Sequence, residues 1–338
     1  MQDNRIRIIS HKDLDKNSND FLSFNAHYLQ SIEWCKCKED CLVSVEDNEK
    51  DSVAMAVLRF KVLPLKLGSI CYIDRGPIGR NNADIMNHLK GLIAYLSAKN
   101  VVYTMCSPMA YTEESVNDIS KNLVTNGWIQ EDNTLSLYKS TLVINLKNNL
   151  DVIRSKFRRS LKTQLNKSEK LGITVELEPN ESAVDEFVKY FNDMAENRGL
   201  SLIDDNTQNF ILQSQKNNNA KILLASIEDK LLAGVILMKQ GNRVIYEWGM
   251  NTQDPKFKKL PLAHKIHWEA IKWAKNEGYM SYDFGGYWLD RGNKDPINYF
   301  KLGFTKEVEI VTPEFYYIHQ PLKFIILNIL KKIRKAFK

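Results

Sequence analysis

The sequence predicts an α+β protein in which one unit of helices and mostly antiparallel strands occurs twice. Two observations predict it. Reading along the chain, both halves follow the order strand, helix, antiparallel strands, helix, strand, helix, strand. The 338 residues also suit two ordinary domains better than one doubly wound sheet. No low-complexity linker separates the halves. The expected divisions are 1–146, 147–313, and a return segment with a basic amphipathic helix over 314–338.

In the first half, Arg5–Ser10 alternates as a short strand, and two helical stretches follow, one of them near Asn25–Lys38. Strand-like runs follow at Cys41–Glu46, Ser52–Val62 and Ser69–Asp74, the last ending in Arg75-Gly76-Pro77. Ala83–Lys99 places Ile85, Leu89, Leu92, Ile93 and Leu96 on one helical face. A buried strand, Val101–Cys106, a helix, Glu113–Val124, and a strand pair toward Leu146 close the half.

The second half opens with a basic helix over Leu150–Lys170, stopped at Gly172. Thr174–Leu177 (strand) and Ser182–Asn197 (helix) come next. Lys221–Ile227 and Leu231–Lys239 form a hairpin about Glu228-Asp229-Lys230, and Arg243–Met250 adds a strand. Pro261 suits a first helical turn, and that helix runs to Asn276 with Gly278 beyond it. Tyr279–Phe284 leads into Gly285-Gly286, a short helix about Phe300, and a strand at Val308–Thr312.

Composition narrows the function classes. Hydrophobic content of 43% and charged content of 26% allow a full core without staples. Five cysteines, three of them as Cys35, Cys37 and Cys41, match neither a secreted disulfide framework nor a standard zinc spacing. His264 and His267 lie three apart, with Glu269 outside the pair, which is not the zincin spacing. No metal is expected. The opening residues do not read as a signal peptide, and no apolar run reaches the roughly 20 residues of a bilayer span, so a cytoplasmic protein is expected. The formal charge is +6. Lys323, Lys331, Lys332, Arg334, Lys335 and Lys338 supply all of that excess within an acid-free Pro321–Lys338. That rules out a globally basic nucleic-acid surface. It points to a basic amphipathic helix lying on an anionic membrane surface, or packing on the body.

Four segments together resemble the Fem-type aminoacyltransferases: Gln30–Lys36, Tyr72–Pro77, Phe157–Lys162 running into Lys170-Leu171-Gly172, and Tyr282–Gly286 followed by Phe300–Phe304. They span about residues 25 to 310. The resemblance implies two tandem GNAT-like (acyl-CoA N-acyltransferase-like) subdomains. It implies transfer of an amino acid from aminoacyl-tRNA to an amine of a lipid- or UDP-linked muropeptide, with no further cofactor. Lys36 corresponds to a lysine that binds precursor phosphate, and Phe300-Lys301 to a pair at the reaction centre. Ser107 stands where the family often has an acid, and Arg198 is one position from the arginine expected there.

From the residues themselves, no G-x-S-x-G elbow or Cys–His pair suggests a covalent nucleophile, so direct amine attack is expected. That chemistry needs a positive group where the oxyanion forms. Lys301, between Phe300 and Phe304, is the candidate, against a plain surface lysine. Asp283, at a strand end before two glycines, either takes a proton or caps the loop. Arg158 and Lys162, four apart on the basic helix, suit phosphate oxygens or are simply solvated. Lys36, Arg75, Arg198 and Trp288 complete the expected substrate-binding set. Two alternatives compete: acyl-CoA-dependent N-acylation of an amino sugar, and a non-catalytic binder of a lipid-linked precursor. Phe257–Ala263 has no glycine turn and carries Pro261, which argues against cradling a CoA pyrophosphate. Phe300-Lys301 argues against the binder.

Overall fold

The computed structural model describes residues 5–10, 13, 26–38, 41–48, 51–131 and 138–336. They fall into two compact units, Met1–Lys139 with Ile310–Lys338, and Ser140–Glu309.

The first unit contains β1 (Arg5–Ser10), α1 (Ile32–Lys36), β2 (Cys41–Asn48), β3 (Asp51–Val62), β4 (Ser69–Ile73), β5 (Ile78–Gly79), α2 (Asn82–Ala98), β6 (Val101–Cys106), α3 (Glu113–Thr125) and β7 (Ile129–Gln130). The second contains β8 (Ser140–Asn145), α4 (Leu150–Ser155), α5 (Arg159–Ser168), β9 (Thr174–Leu177), α6 (Glu181–Arg198), α7 (Asp205–Lys216), β10 (Ala220–Ile227), β11 (Lys230–Gln240), β12 (Arg243–Asn251), α8 (Leu262–Asn276), β13 (Ser281–Gly286), α9 (Pro296–Lys301) and β14 (Val308–Ile310). The chain then returns to the first unit as β15 (Phe315–Ile318) and α10 (Pro321–Ala336).

Each unit is one mixed sheet. The first runs β1-β2-β3-β4-β6-β15-β7, with β5 on β3, and the second β14-β8-β13-β12-β11-β10-β9. In each, among the described residues, a single parallel pair, β4/β6 or β12/β13, is bridged by a crossover helix, α2 or α8. The repeated element order thus reflects a repeated topology. The unit boundaries differ from those expected at 146 and 313. β8 ladders onto β13 of the second sheet, and β15 onto β6 of the first, so hydrogen-bond pairing overrides sequence adjacency.

Apolar periodicity places the cores. On α2, Ile85, Leu89, Leu92 and Leu96 are buried, and Ile93 is partly so. They pack on Leu58, Ile73 and Val101. Full burial of such a side chain contributes about 1.5–3 kcal/mol. On α8, Leu262, Ile266 and Ile271 meet Leu223, Val235 and Phe284. Each helix is bounded locally: the Asn81 side chain caps the start of α2, and Gly278 with φ +83° follows the end of α8.

Three expectations change. The basic helix is two helices, α4 and α5, because Phe157 enters the core and the Arg158 N–H bonds the Gly303 carbonyl at 2.9 Å. The helical sequence expected near Asn25–Lys38 is a short 3-10 turn, Tyr28–Gln30, and α1; Asn25 lies outside the described residues. α7, which the reading of the sequence lacked, starts where Asp204 accepts from the Thr207 N–H. All five cysteines are free thiols, and only Cys37 is not buried.

Candidate functional site

The second unit builds its site where two parallel strands part. β12 and β13 pair only over Arg243–Ile245 against Ser281–Asp283. Beyond that point both strands are irregular. Glu247 is an extra residue in β12 opposite the Ile236–Leu237 step, and the β13–β8 register shifts between Asp283 and Gly286. Gly285 takes φ +66°, and a Cβ there would lie 3.0 Å from the Tyr246 carbonyl, so glycine alone suits the bend.

Lys301 sits at this opening. It ends α9, which begins where Asp295 accepts the N–H groups of Ile297 and Asn298. The side chain is 7% exposed, and its ammonium donates to the Gly286 carbonyl at 2.7 Å. Burial lowers its pKa to about 8 against the opposing pull of Asp283, Glu247 and Asp295. At neutral pH it is a poorly hydrated cation, whose field on a nearby oxyanion is correspondingly strong.

Around it stands a ring of aromatic groups. Phe300 lies 5.1 Å from the His264 ring and 5.4 Å from the His267 ring. His267 meets Tyr246 edge-on at 4.6 Å and bonds the Tyr282 hydroxyl through Nδ1 at 2.8 Å. Burial, then the Lys301 charge, lowers the His267 pKa to about 3; burial, then Arg158, lowers that of His264 to about 4. Both imidazoles are therefore neutral at pH 7. His264 Nδ1 is buried without a hydrogen-bond partner.

Asp283 is committed to structure. One carboxylate oxygen accepts from the Thr141 hydroxyl and from the Gly285 N–H at 2.7 Å, and the other pairs with Arg243 at 2.7 Å. Arg243 in turn holds Glu309 at 2.6 Å. Of the two roles open to Asp283, the geometry supports the loop cap, with both carboxylate oxygens already accepting hydrogen bonds.

The expected binding residues are brought together only in part. Arg158 does not share a helical face with Lys162, because it is the extended residue before α5. Its guanidinium lies 3.8 Å from the Tyr299 ring centroid and bonds the Tyr299 carbonyl at 3.2 Å, bracing α9. Lys162 donates to the Ser155 carbonyl at 3.0 Å, in a shallow opening also lined by Asp151, Arg154 and Asn166. Trp288 is tied to α9 by Asn298, which donates to its carbonyl at 2.7 Å, and Arg291 covers its ring at 4.7 Å. Arg198 is exposed at the end of α6.

Lys36 and Arg75 belong to the first unit. Lys36 is exposed at the end of α1. Arg75 is buried: its N–H donates to the Ser107 hydroxyl at 3.0 Å, and its guanidinium lies 4.3 Å over Tyr138 and bonds the Tyr138 carbonyl. Ser107 thus fixes the Arg75 turn. Sequence reasoning missed Tyr246, Arg243 and Glu247. It weighed His264 and His267 only as metal ligands, although their spacing on an apolar helix also marks one face turned to a single place.

Comparison with known proteins extends these observations. A family model described as "Acetyltransferase (GNAT) domain" matches residues 155–301, which end on Lys301. Over 132 residues the chain is 29% identical to lipid II:glycine glycyltransferase of Staphylococcus epidermidis, covering 36% of this chain and 31% of that protein. The chain thus spans about a third of that curated relative's length. It is 22% identical over 315 residues to UDP-N-acetylmuramoylpentapeptide-lysine N(6)-alanyltransferase of Weissella viridescens, covering 85% and 90% of the two chains. The crystal structure of FemX matches the fold with a TM-score of 0.78 at 18% identity, over 95% of this chain and 99% of that one. In sequence and fold the chain is similar to Fem-type transferases, and its two units have the tandem GNAT-like fold.

Proposed function

We propose that the chain moves an aminoacyl group from aminoacyl-tRNA to an amine of a lipid- or nucleotide-linked muropeptide. The amine nitrogen attacks the ester carbonyl carbon directly. A C–N bond forms, the negative charge gathers on the carbonyl oxygen, and the ester C–O bond breaks as the amine proton passes to the leaving ribose oxygen. Lys301 supplies the positive charge for the oxyanion. The observation that carries the reading is this ammonium, buried at the parting of β12 and β13 among Phe300, His264 and His267. The printed activities of the two relatives support the acceptor class. In this reading Lys36, Lys162 and Arg198 meet phosphate, Arg158 braces α9, and Arg75 and Trp288 shape their loops.

A second reading, acyl-CoA-dependent N-acylation, draws on the description of the matched family. The turn before α8 favours the first. The N–H groups of Lys256, Phe257 and Lys258 bond Asp254, and that of Leu260 bonds the Phe257 carbonyl. Pro261 has no N–H to offer a pyrophosphate. A lipid-linked acceptor also suits attachment through α10 to the anionic inner face of the cytoplasmic membrane. The test is incubation of pure protein with charged tRNAs or acyl-CoAs and a panel of muropeptides. Label transfer from charged tRNA is expected; transfer from acyl-CoA alone would reject the proposal.

A further inference from the structure

One end of the first sheet gathers three connections. There β3 ends at Val62 beside Ser69, Ser69 pairs with Val101, and β15 ends at Ile318 beside Tyr103. The 63–68 loop, the Asn100 turn and the start of α10 therefore meet. Asn100 binds them: its carbonyl accepts the Ser69 N–H at 3.2 Å, and its side chain accepts from Lys323 at 2.6 Å and Gln320 at 3.1 Å. Leu63 and Leu67 of the loop share a small core with Phe324 and Leu327 of α10.

α10 docks by its less apolar side. The Phe324 ring stacks on Tyr316 at 5.7 Å and meets Tyr103 edge-on at 5.3 Å, and the Lys331 ammonium lies 5.5 Å from the Tyr103 ring. The opposite stripe, Leu322, Ile325, Ile326, Ile329 and Ile333, is turned outward, with Leu322 78% exposed. A helix that packed on the body by its apolar stripe would show the reverse. Beside it the end of β3 and the loop after it expose Val62 (73%) and Leu65 (78%) between Lys61 and Lys66. Burial lowers the Lys331 pKa, and Lys61 adds to this against Glu131, so loop and helix lie within electrostatic reach.

We propose that the 61–67 segment and α10 form one surface that seats on an anionic phospholipid bilayer. Val62, Leu65 and the α10 stripe enter the acyl boundary, and Lys61, Lys66, Lys323 and Lys332 meet headgroup phosphates. This deepens the membrane part of the functional reading and rests on it. A bilayer is the occupant because the exposed apolar groups are all aliphatic and the charged residues beside them are all basic, mostly lysine; neither segment holds an acid. Protein interfaces instead favour aromatic residues and arginine and exclude lysine. Phe337 and Lys338 lie outside the described residues.

The experiment sediments the full chain with vesicles of phosphatidylglycerol and phosphatidylcholine, and with phosphatidylcholine alone. Two variants are compared, V62T/L65N and I325S/I329S. Leu65 has φ +57°, which asparagine accepts readily, so the loop variant keeps its fold. The wild type should bind the anionic vesicles far better than the neutral ones, and each variant should bind about tenfold more weakly. Unchanged binding by V62T/L65N, equal binding to neutral vesicles, or a lipid-free oligomer dissolved by I325S/I329S would each overturn the proposal. Transfer to a water-soluble nucleotide-linked muropeptide, measured in parallel, should be the same in V62T/L65N as in wild type. Failure of that assay in the wild type would count against the transferase reading and leave the sedimentation result standing.

Discussion

The ammonium of Lys301 is held by the carbonyl of Gly286, 2.7 Å away, across the point where β12 and β13 part. One of three ammonium protons is spent there, so the charge is fixed in place with donors remaining. Replacing Lys301 with methionine keeps the stem and removes the charge. Turnover should fall by about 100-fold or more, with an unchanged circular dichroism spectrum. Normal turnover would remove Lys301 from the mechanism.

The same lysine sets a pH limit. Its folded pKa is about 8, below the usual 10.5, so the cation is lost as pH rises through about 8. A role as oxyanion partner therefore predicts a falling limb in kcat near pH 8. A role as base predicts a rising one. For stability the sign is opposite: between about 8 and 10.5 the unfolded chain binds the extra proton, so Lys301 favours folding increasingly as pH rises. Both effects should vanish in Lys301→Met.

Asp283→Asn would strip the buried partner from Arg243 while keeping the side chain's shape. Breaking such a pair should cost about 3 kcal/mol in urea unfolding, with activity lost roughly in step with folded fraction. A fully stable but inactive Asp283→Asn protein would restore Asp283 as a proton acceptor.

Gly285→Ala places a methyl group against the Tyr246 carbonyl at a positive φ. We expect a loss of about 1–2 kcal/mol and a larger drop in kcat than in affinity, since Gly286 positions Lys301. A rise in KM alone would place Gly285 in binding.

Neutralising Lys36 or Lys162 to glutamine should raise the KM for tRNA or muropeptide and flatten its salt dependence. Unchanged values for both substrates would identify ordinary solvated lysines. Arg158→Gln should instead lower stability, because its guanidinium braces Tyr299.

Local sequence determined most of the elements. The apolar spacing of Ile85, Leu89, Leu92 and Leu96 fixed α2, and the parting at Glu228-Asp229-Lys230 fixed the β10–β11 hairpin, because helix and strand periods are properties of neighbouring residues. Phe300-Lys301 was legible as a candidate site through its resemblance to a family motif. Only the tertiary structure decided what long-range pairing controls. It gave β8 to the second sheet and β15 to the first, since a strand joins whichever edge completes its hydrogen bonds. It broke the basic helix at Phe157-Arg158, where the core's need for an aromatic ring outweighed helical propensity. It turned Asp283 from a candidate acid–base group into the partner of Arg243, forty residues away, and set two neutral histidines beside Lys301. It also turned the α10 stripe outward, because Phe324 and Leu327, which lie off that stripe, are the residues that hold the helix to the body.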